Sequence, residues 1–254
     1  MTRYHHPETV ALVLAAGQGK RMNSDLAKVL HPMAGRPLLA HVLDTLERLG
    51  VGRTVVVIGH QRERVRAAFD GAPVEWAVQD EQRGTGHAVL CAGPQLAGFA
   101  GTLLVVCGDT PLLRAASLHA LIEGHRASGA AVTVLSMRLP DPTGYGCIVR
   151  LPEGGIDRIV EDRDAAPEVR ALDEVNSGIY CFDYPKLAGV LSRLTAENAQ
   201  GEYYLTDTVA LLRADGHRAA VVLAADHREL CGINTADQLA EAEALHRALG
   251  AGEA

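Results

Sequence analysis

Short apolar runs set the texture of the first half of this chain. Residues 10–14 (VALVL), 53–58 (RTVVVI), 74–78 (VEWAV), 102–106 (TLLVV) and 131–137 (AVTVLSM) are nearly unbroken hydrophobic stretches. Runs of that length fit strands buried on both faces. Between them, apolar residues recur at helical spacing over 37–49, stopped by Gly50, and over 86–92 and 113–128. Residues 61–69 read as a charged surface helix. Strand and helix in alternation predict a doubly wound sheet, parallel in its main part. From about residue 140 the texture changes. Glycine turns separate strands at 147–150, 156–161 and 175–182, which predicts an inserted antiparallel region lying over the sheet's edge. Helices follow at 185–194 and 206–214, then a strand at 220–224 and a last helix at 235–249, capped by Asn234 or Thr235. The fold class is therefore α/β, with a Rossmann-like, mixed but mostly parallel sheet. With no internal repeat or low-complexity linker, residues 1–254 are expected to form one domain, with halves at about 1–137 and 138–234 and a terminal helix at 235–254.

Composition narrows the picture. The 254 residues are 48% hydrophobic and carry a formal net charge of −7. That charge argues against general nucleic-acid binding, although a local basic loop remains compatible with it. No apolar run approaches the roughly 20 residues that span a bilayer, and residues 1–8 lead into no signal region. Membrane insertion is not expected, and a cytoplasmic location is. The five cysteines are scattered without a CxxC pair, so small buried hydrophobes are expected rather than a zinc site or a disulfide framework. Among the eleven histidines, only His5 and His6 are adjacent, and they are expected in a loose terminus.

Candidate chemistry begins where the first strand ends. Leu14, Ala15, Ala16 and Gly17 lead into Gln18 and Gly19, with Arg21 and Lys28 close behind. Small residues let backbone N–H groups approach an anion, and basic side chains at the rim neutralise phosphate. Neither a dinucleotide-binding glycine fingerprint nor a Walker A loop fits, since Met22 stands where either requires glycine. Ligands of open α/β sheets bind beyond the carboxyl ends of strands. That rule selects Gln79 with the turn at Gly84 and Thr85, then Cys107, Gly108 and Asp109, and the turn at Gly144, Tyr145 and Gly146. The amide of Gln79 can pair with a uracil edge, though an amide free to turn over would also suit cytosine. Asp109, straight after a buried strand, suits a hard divalent cation. It could otherwise cap the helix after Pro111.

Taken in order, LAAGQGKRMNSDLAKVLH from Leu14, QDEQRGTGHA from Gln79, GDTPLL from Gly108, DPTGYG from Asp141, IVEDRDA from Ile159, EVNSGIYCFD from Glu174, NAQGEYYLTD from Asn198 and GIN from Gly232 resemble the nucleoside-diphosphate-sugar pyrophosphorylases. Within that family the similarity is to the uridylyltransferase domains of the bacterial N-acetylglucosamine-1-phosphate uridylyltransferases. The resemblance implies uridylyl transfer from UTP to N-acetylglucosamine 1-phosphate, with magnesium (Mg2+) as cofactor. It implies that Leu14, Ala15, Ala16, Gly17, Cys107 and Gly108 line the nucleotide and that Gln79, Gly84 and Thr85 read uracil. Arg21 and Lys28 would act on the phosphates, and Asp109 and Asn234 would hold the metal. Gly146, Glu161 and Asn176 would bind the sugar, with Tyr204 and Thr206 at its far side. Lys20 has no assigned role, and Cys147 stands where the family often has arginine. The bifunctional members continue into a left-handed β-helix that carries acetyltransfer. None of its hexapeptide turns occurs before Ala254, so that activity is expected to be absent, and a monomer or small homo-oligomer is expected.

A sugar phosphate is mostly dianionic at neutral pH, its second pKa lying near 6. In-line attack on the α-phosphorus of UTP therefore needs no general base, only positioning and charge stabilisation. Two other readings stand beside this one: nucleotidyl transfer to another sugar 1-phosphate such as glucose 1-phosphate, and a non-catalytic nucleotide-sugar-binding module with a regulatory role.

Overall fold

The computed structural model describes residues 3–152 and 154–251, apart from the side chains of Lys20 and of residues 249–251. The chain runs through β1 (His6–Ala15), a small hairpin of β2 (Pro32–Met33) and β3 (Arg36–Pro37), α1 (Leu38–Leu49), β4 (Val51–Ile58), α2 (Arg62–Ala68), β5 (Glu75–Val78), α3 (Thr85–Cys91), β6 (Thr102–Cys107), α4 (Ala115–Ser128) and β7 (Val132–Arg138). It continues through β8 (Cys147–Arg150), β9 (Ile156–Val160), α5 (Pro167–Arg170), β10 (Glu174–Asp183), α6 (Tyr184–Leu191), α7 (Asp207–Ala214), β11 (Ala219–Leu223) and α8 (Ala236–Ala251). The apolar runs of the first half are β1, β4, β5, β6 and β7: β1, β4 and β6 are longer than their runs, β5 loses Val74, and β7 is shifted by one residue. Gly50 ends α1 at φ 69°, returning its N–H to Leu46 and Glu47, as a left-handed cap does.

The central sheet is ordered β5-β4-β1-β6-β10-β7-β11. β1 lies parallel between β4 and β6, and β7 is parallel to β11. Successive residues of β1 feed opposite layers. Val10 and Leu12 pack toward α3, α6 and α7, whereas Ala11 and Val13 pack toward α1 and α4. Burial on both sides explains why the run carries no polar alternation.

One expectation is corrected here. Residues 174–183 do not lie over an edge. β10 runs antiparallel between β6 and β7 and separates them. Only the β8–β9 hairpin sits beside the main path, joined where Cys147 opposes Val175. The reason is hydrophobic: Val175, Ile179, Tyr180, Cys181 and Phe182 are all buried, more apolar surface than an edge strand could cover. The insertion also changes the rim. Register aligns Ala15 with Ile58, Leu14 with Cys107, and Ile58 with Val78, so these parallel strands end level. Because β10 is reversed, its first residues, rather than its last, reach that same rim.

His6 also departs from expectation. It heads β1, is 2% exposed and lies 3.0 Å from His119 Nδ1 on α4. Together with Glu123, the two histidines bring ligand-type atoms within 4.8 Å of one another. They lie at the opposite end of β1 from the rim. Glu123 already pairs with Arg126. No helix among the described residues is long and apolar enough to cross a membrane.

Where β7, β8 and β10 meet, Glu174 accepts hydrogen bonds from Ser136 Oγ at 2.6 Å and from Arg150 Nη2 and Nε at 2.6 and 3.0 Å. Burial pushes this carboxyl up, but the Arg150 and Ser136 hydrogen bonds outweigh it and hold it below its ordinary value of 4.5. Arg150→Met should cost about 1–2 kcal/mol in urea unfolding at pH 7. That is less than for a fully buried pair, because the guanidinium is 40% exposed. A depressed carboxyl contributes stability above its unfolded value and loses it as pH falls through its folded one. The gap between variant and wild type should therefore close below pH 4.5, and a gap as wide at pH 3 as at pH 7 would contradict this account.

Candidate active site

The loop after β1 is held by its least loop-like residue. Met22 is buried against Met33, Leu38 and Ile233, in a small cluster that also takes Ala242 of α8. This anchor leaves Arg21 and Lys28 on the polar side. Gly19 stands at φ 64°, and a Cβ there would come within 2.7 Å of Lys28 Cβ. The glycine that matters most in this loop is thus one that lets the lysine stem pack across it. Gly17, by contrast, has open space around it.

Lys28 opens a 3-10 turn (Lys28–Leu30). Its ammonium pairs with Asp109 Oδ2 and donates to Asn234 Oδ1 at 2.8 Å. Arg21 Nη2 donates to that same Asn234 oxygen at 2.9 Å. Ile233 N–H donates to Asp109 O at 2.9 Å, and a side chain on Gly232 would meet Asp109 Oδ1 at 3.4 Å. Three segments far apart in sequence, after β1, after β6 and before α8, thus converge on one cluster of charge. Asp109 does not cap a helix, since α4 starts at Ala115. Nor is Asn234 the cap of α8: Thr235 Oγ1 accepts from Gln238 N–H, while Gln238 Oε1 accepts from Asn234 N–H. Both oxygens are hard donors brought onto a single cation, a set that suits a hard divalent ion. The side chain of Lys20 lies outside the described residues.

Gly108 N–H donates to Leu14 O at 2.9 Å, and a Cβ on Gly108 would press on Ala15 and Leu14. The β1 and β6 termini are therefore closed together beneath the loop. Cys107 contributes a thiol pushed up to about 12, chiefly by burial and further by Asp109. It stays protonated, and Sγ donates to Gly178 O at 3.7 Å.

Beyond β5, Gln79 is 3% exposed. Gln82 Nε2 donates to Gln79 O, and Gln18 Nε2 donates to Gln82 Oε1, which ties this turn to the opening loop. The turn is joined on its other side to residues 203–205. Tyr203 N–H donates to Arg83 O, Gly86 N–H to Tyr203 O, and Leu205 N–H to Thr85 Oγ1 at 3.0 Å. The hydroxyl of Thr85 is thus committed as an acceptor within the protein.

The residues read as sugar-facing also come together. Asn176 N–H donates to Gly146 O at 2.8 Å, and a Cβ on Gly146 would lie 3.4 Å from Glu161 Oε2. Thr206 Oγ1 donates to Glu161 Oε1 at 2.8 Å. Tyr204 donates to Asp164 Oδ2 and accepts from Gln200 Nε2. Asn176 spends Nδ2 on the Tyr180 hydroxyl and Oδ1 on Gly178 N–H. Cys147 is buried in β8.

Sequence reasoning selected the turn at Tyr145 without giving its side chain a role, and it missed Cys231 and Asp164 as contributors to this rim. Tyr145 is pushed up to about 12 by burial first, then by Cys231 and Asp109, so its neutral hydroxyl sits beside the charged cluster. Cys231 had been read only as a small hydrophobe, and Asp164 as part of a motif string. A tyrosine in a glycine turn is a local signal. The approach of Cys231 to it is a long-range one.

A mixed, mostly parallel sheet with a glycine loop after β1, two cations there and a carboxylate–amide pair beside them has the arrangement of a nucleotidyltransferase. A model described as the MobA-like NTP transferase domain matches residues 11–175, and the chain belongs to that family. Members of it generally use a divalent metal. The chain is 51% identical over 240 residues to the bifunctional protein GlmU of Trichlorobacter lovleyi, covering 94% of this chain and 52% of that protein. It is 52% identical over 240 residues to the GlmU of Thermobifida fusca, covering 92% and 50%. With that of Geobacillus thermodenitrificans it shares 47% over 237 residues, covering 93% and 51%. It spans about half the length of the curated relatives it matches.

Glu161 offers a test of the sugar-side geometry. Burial raises its carboxyl above the ordinary value, the Thr206 hydroxyl opposes that, and Asp207, Asp164 and Glu202 add to it. Thr206→Val removes the opposing hydrogen bond and should move the Glu161 midpoint further up. Carbon-13 NMR titration of the glutamate carboxyls reads this directly, and a midpoint that stays or falls would refute the assigned contact.

Proposed function

We propose that this chain transfers a uridylyl group from UTP to N-acetylglucosamine 1-phosphate, releasing pyrophosphate and forming UDP-N-acetylglucosamine, with magnesium as its metal. Residues 1–254 act as one nucleotidyltransferase domain in this reading. The observation that carries it is the Lys28 ammonium shared between Asp109 and Asn234, with Arg21 on the same amide oxygen. Such a cluster provides two positive charges for a triphosphate and two oxygens for a cation in one place. The relatives named GlmU support the choice of base and sugar.

Leu14, Ala15, Ala16, Gly17, Cys107 and Gly108 border the nucleotide, and Gln79, Gly84 and Thr85 face the base. The Thr85 hydroxyl accepts from Leu205, and its own O–H, like its backbone, stays available for recognition. Asp109 and Asn234 would hold magnesium, which when bound neutralises triphosphate charge. Lys28 and Arg21 then exchange their carboxylate and amide partners for phosphate oxygens, so their charge moves onto the transferring group and the leaving pyrophosphate. Gly146, Glu161, Asn176, Tyr204 and Thr206 hold the sugar so that its phosphate lies in line with the α-phosphorus. The nucleophile arrives as a dianion, so no side chain has to remove a proton.

A pyrophosphate-release assay across nucleoside triphosphates and sugar 1-phosphates, with and without magnesium, tests the reading. UTP with N-acetylglucosamine 1-phosphate should be the preferred pair. Asp109→Ala should lower magnesium-dependent release by about 100- to 1000-fold with circular dichroism and melting preserved; full activity would overturn the metal assignment. UTP binding without pyrophosphate release in the unmutated chain would favour a regulatory binding module instead.

A further inference from the structure

Gln79 can discriminate between pyrimidines only if its amide points one way. A primary amide has two N–H donors on one side and an acceptor oxygen on the other. Turned one way, it presents the acceptor to a base that donates at N3, as uracil does. Turned over, it suits cytosine, whose N3 accepts. The surroundings of Gln79 contain groups that choose between these states.

Gln79 Nε2 lies 3.0 Å from Gly84 O and 3.1 Å from His87 Nδ1. Gly84 O is an acceptor with no proton to give, and it cannot easily shift. Gly84 stands at φ 101°, a Cβ there would meet Tyr203 O at 2.6 Å, and its carbonyl also receives Ala88 N–H at the start of α3. Turning the amide over would set Oε1 against this carbonyl oxygen. The second amide hydrogen needs its own acceptor, and His87 Nδ1 is one only when the ring carries its proton on Nε2. The far side of the ring agrees with that tautomer. His87 Nε2 faces Cys91 Sγ at 3.7 Å, one helical turn on, where an N–H can donate to sulfur. Both amide hydrogens are then spent inside the protein. Among the described residues none donates to Gln79 Oε1, yet that oxygen is not among the buried unpartnered atoms, so solvent reaches it.

We infer that His87 is a positioning residue for base selection: with Gly84 it locks the Gln79 amide so that only Oε1 faces the ligand. The site thereby accepts a pyrimidine that donates from N3 and rejects one that accepts there. His87 touches no substrate in this scheme, and its effect passes entirely through the amide. The inference rests on the uridylyl reading above.

The test is kcat/KM for UTP and for CTP, with one sugar phosphate, in the full chain and in His87→Ala and His87→Asn. Losing one ordering hydrogen bond should reduce the UTP-over-CTP ratio about tenfold in the alanine variant, mainly through a higher KM for UTP. Asparagine, with an acceptor oxygen near the position of Nδ1, should restore most of the ratio. An unchanged ratio in His87→Ala, or asparagine as impaired as alanine, would overturn the inference while leaving uridylyl transfer standing. A wild-type chain without preference for UTP would bring down both. Nitrogen-15 NMR of the imidazoles in the unmutated chain needs no variant to fold. It should show His87 protonated on Nε2, and a proton on Nδ1 would overturn the lock.

Discussion

Lys28 carries its charge on a side chain only 15% exposed, against an Asp109 side chain exposed by 17%. An ammonium so far withdrawn from water needs oxygen on more than one side. Much of the surrounding sequence can be understood as providing that oxygen. Gly19 makes room for the lysine stem, Gly232 stays out of the way of Asp109, and Met22 draws the loop down onto the segment that carries Asn234. Arg21 and Lys28 share one amide oxygen, and the Asp109 carboxylate balances only one of their two charges.

The two halves of the site differ in how they are built. On the nucleotide side, polar groups are paired mainly to one another across turns: Gln18 to Gln82, Gln82 to Gln79, and Thr85 to Leu205. On the sugar side, they hang from the reversed strand and the hairpin beside it. Asn176 N–H donates to Gly146 O, and Glu161 stands within reach of both Thr206 and Gly146. The bond from Leu205 to Thr85 joins the halves, so residues 203–206 serve both. A shift of that segment would reach the base turn and Glu161 together.

What could be read in the sequence was local. Each buried strand of the first half showed itself as an apolar run, and the stop at Gly50 and the caps around Thr235 followed from residue type. The candidate residues after β1, β5 and β6 could be found because strand ends are legible and the rule for sheet crevices needs only them. Pairing was not legible. Residues 174–183 look like one more short strand among glycine turns, and nothing local distinguishes an edge from the gap between β6 and β7. His6 was misjudged for a similar reason, since its partner lies 113 positions away on α4. The family resemblance implied roles for Asn234 and Glu161, but residue type alone would have left the first a capping residue and the second an ordinary strand polar group. The orientation of the Gln79 amide depends on which nitrogen of His87 carries a proton, a choice that only packing reveals.

The reversed strand has a consequence for the order of events during synthesis. β6 and β7 are complete by residue 138, yet the edge of β6 away from β1 and the edge of β7 facing it stay open until residues 174–183 have emerged. At the usual pace of about 5–20 residues per second, the growing chain spends seconds with two unsatisfied hydrophobic strand edges. Open edges of that kind template pairing with other chains. The nucleotide half therefore has no finished form of its own. It is closed by the segment that also delivers Asn176, so the rim beside Cys107 and the residues around Asn176 are completed in one step.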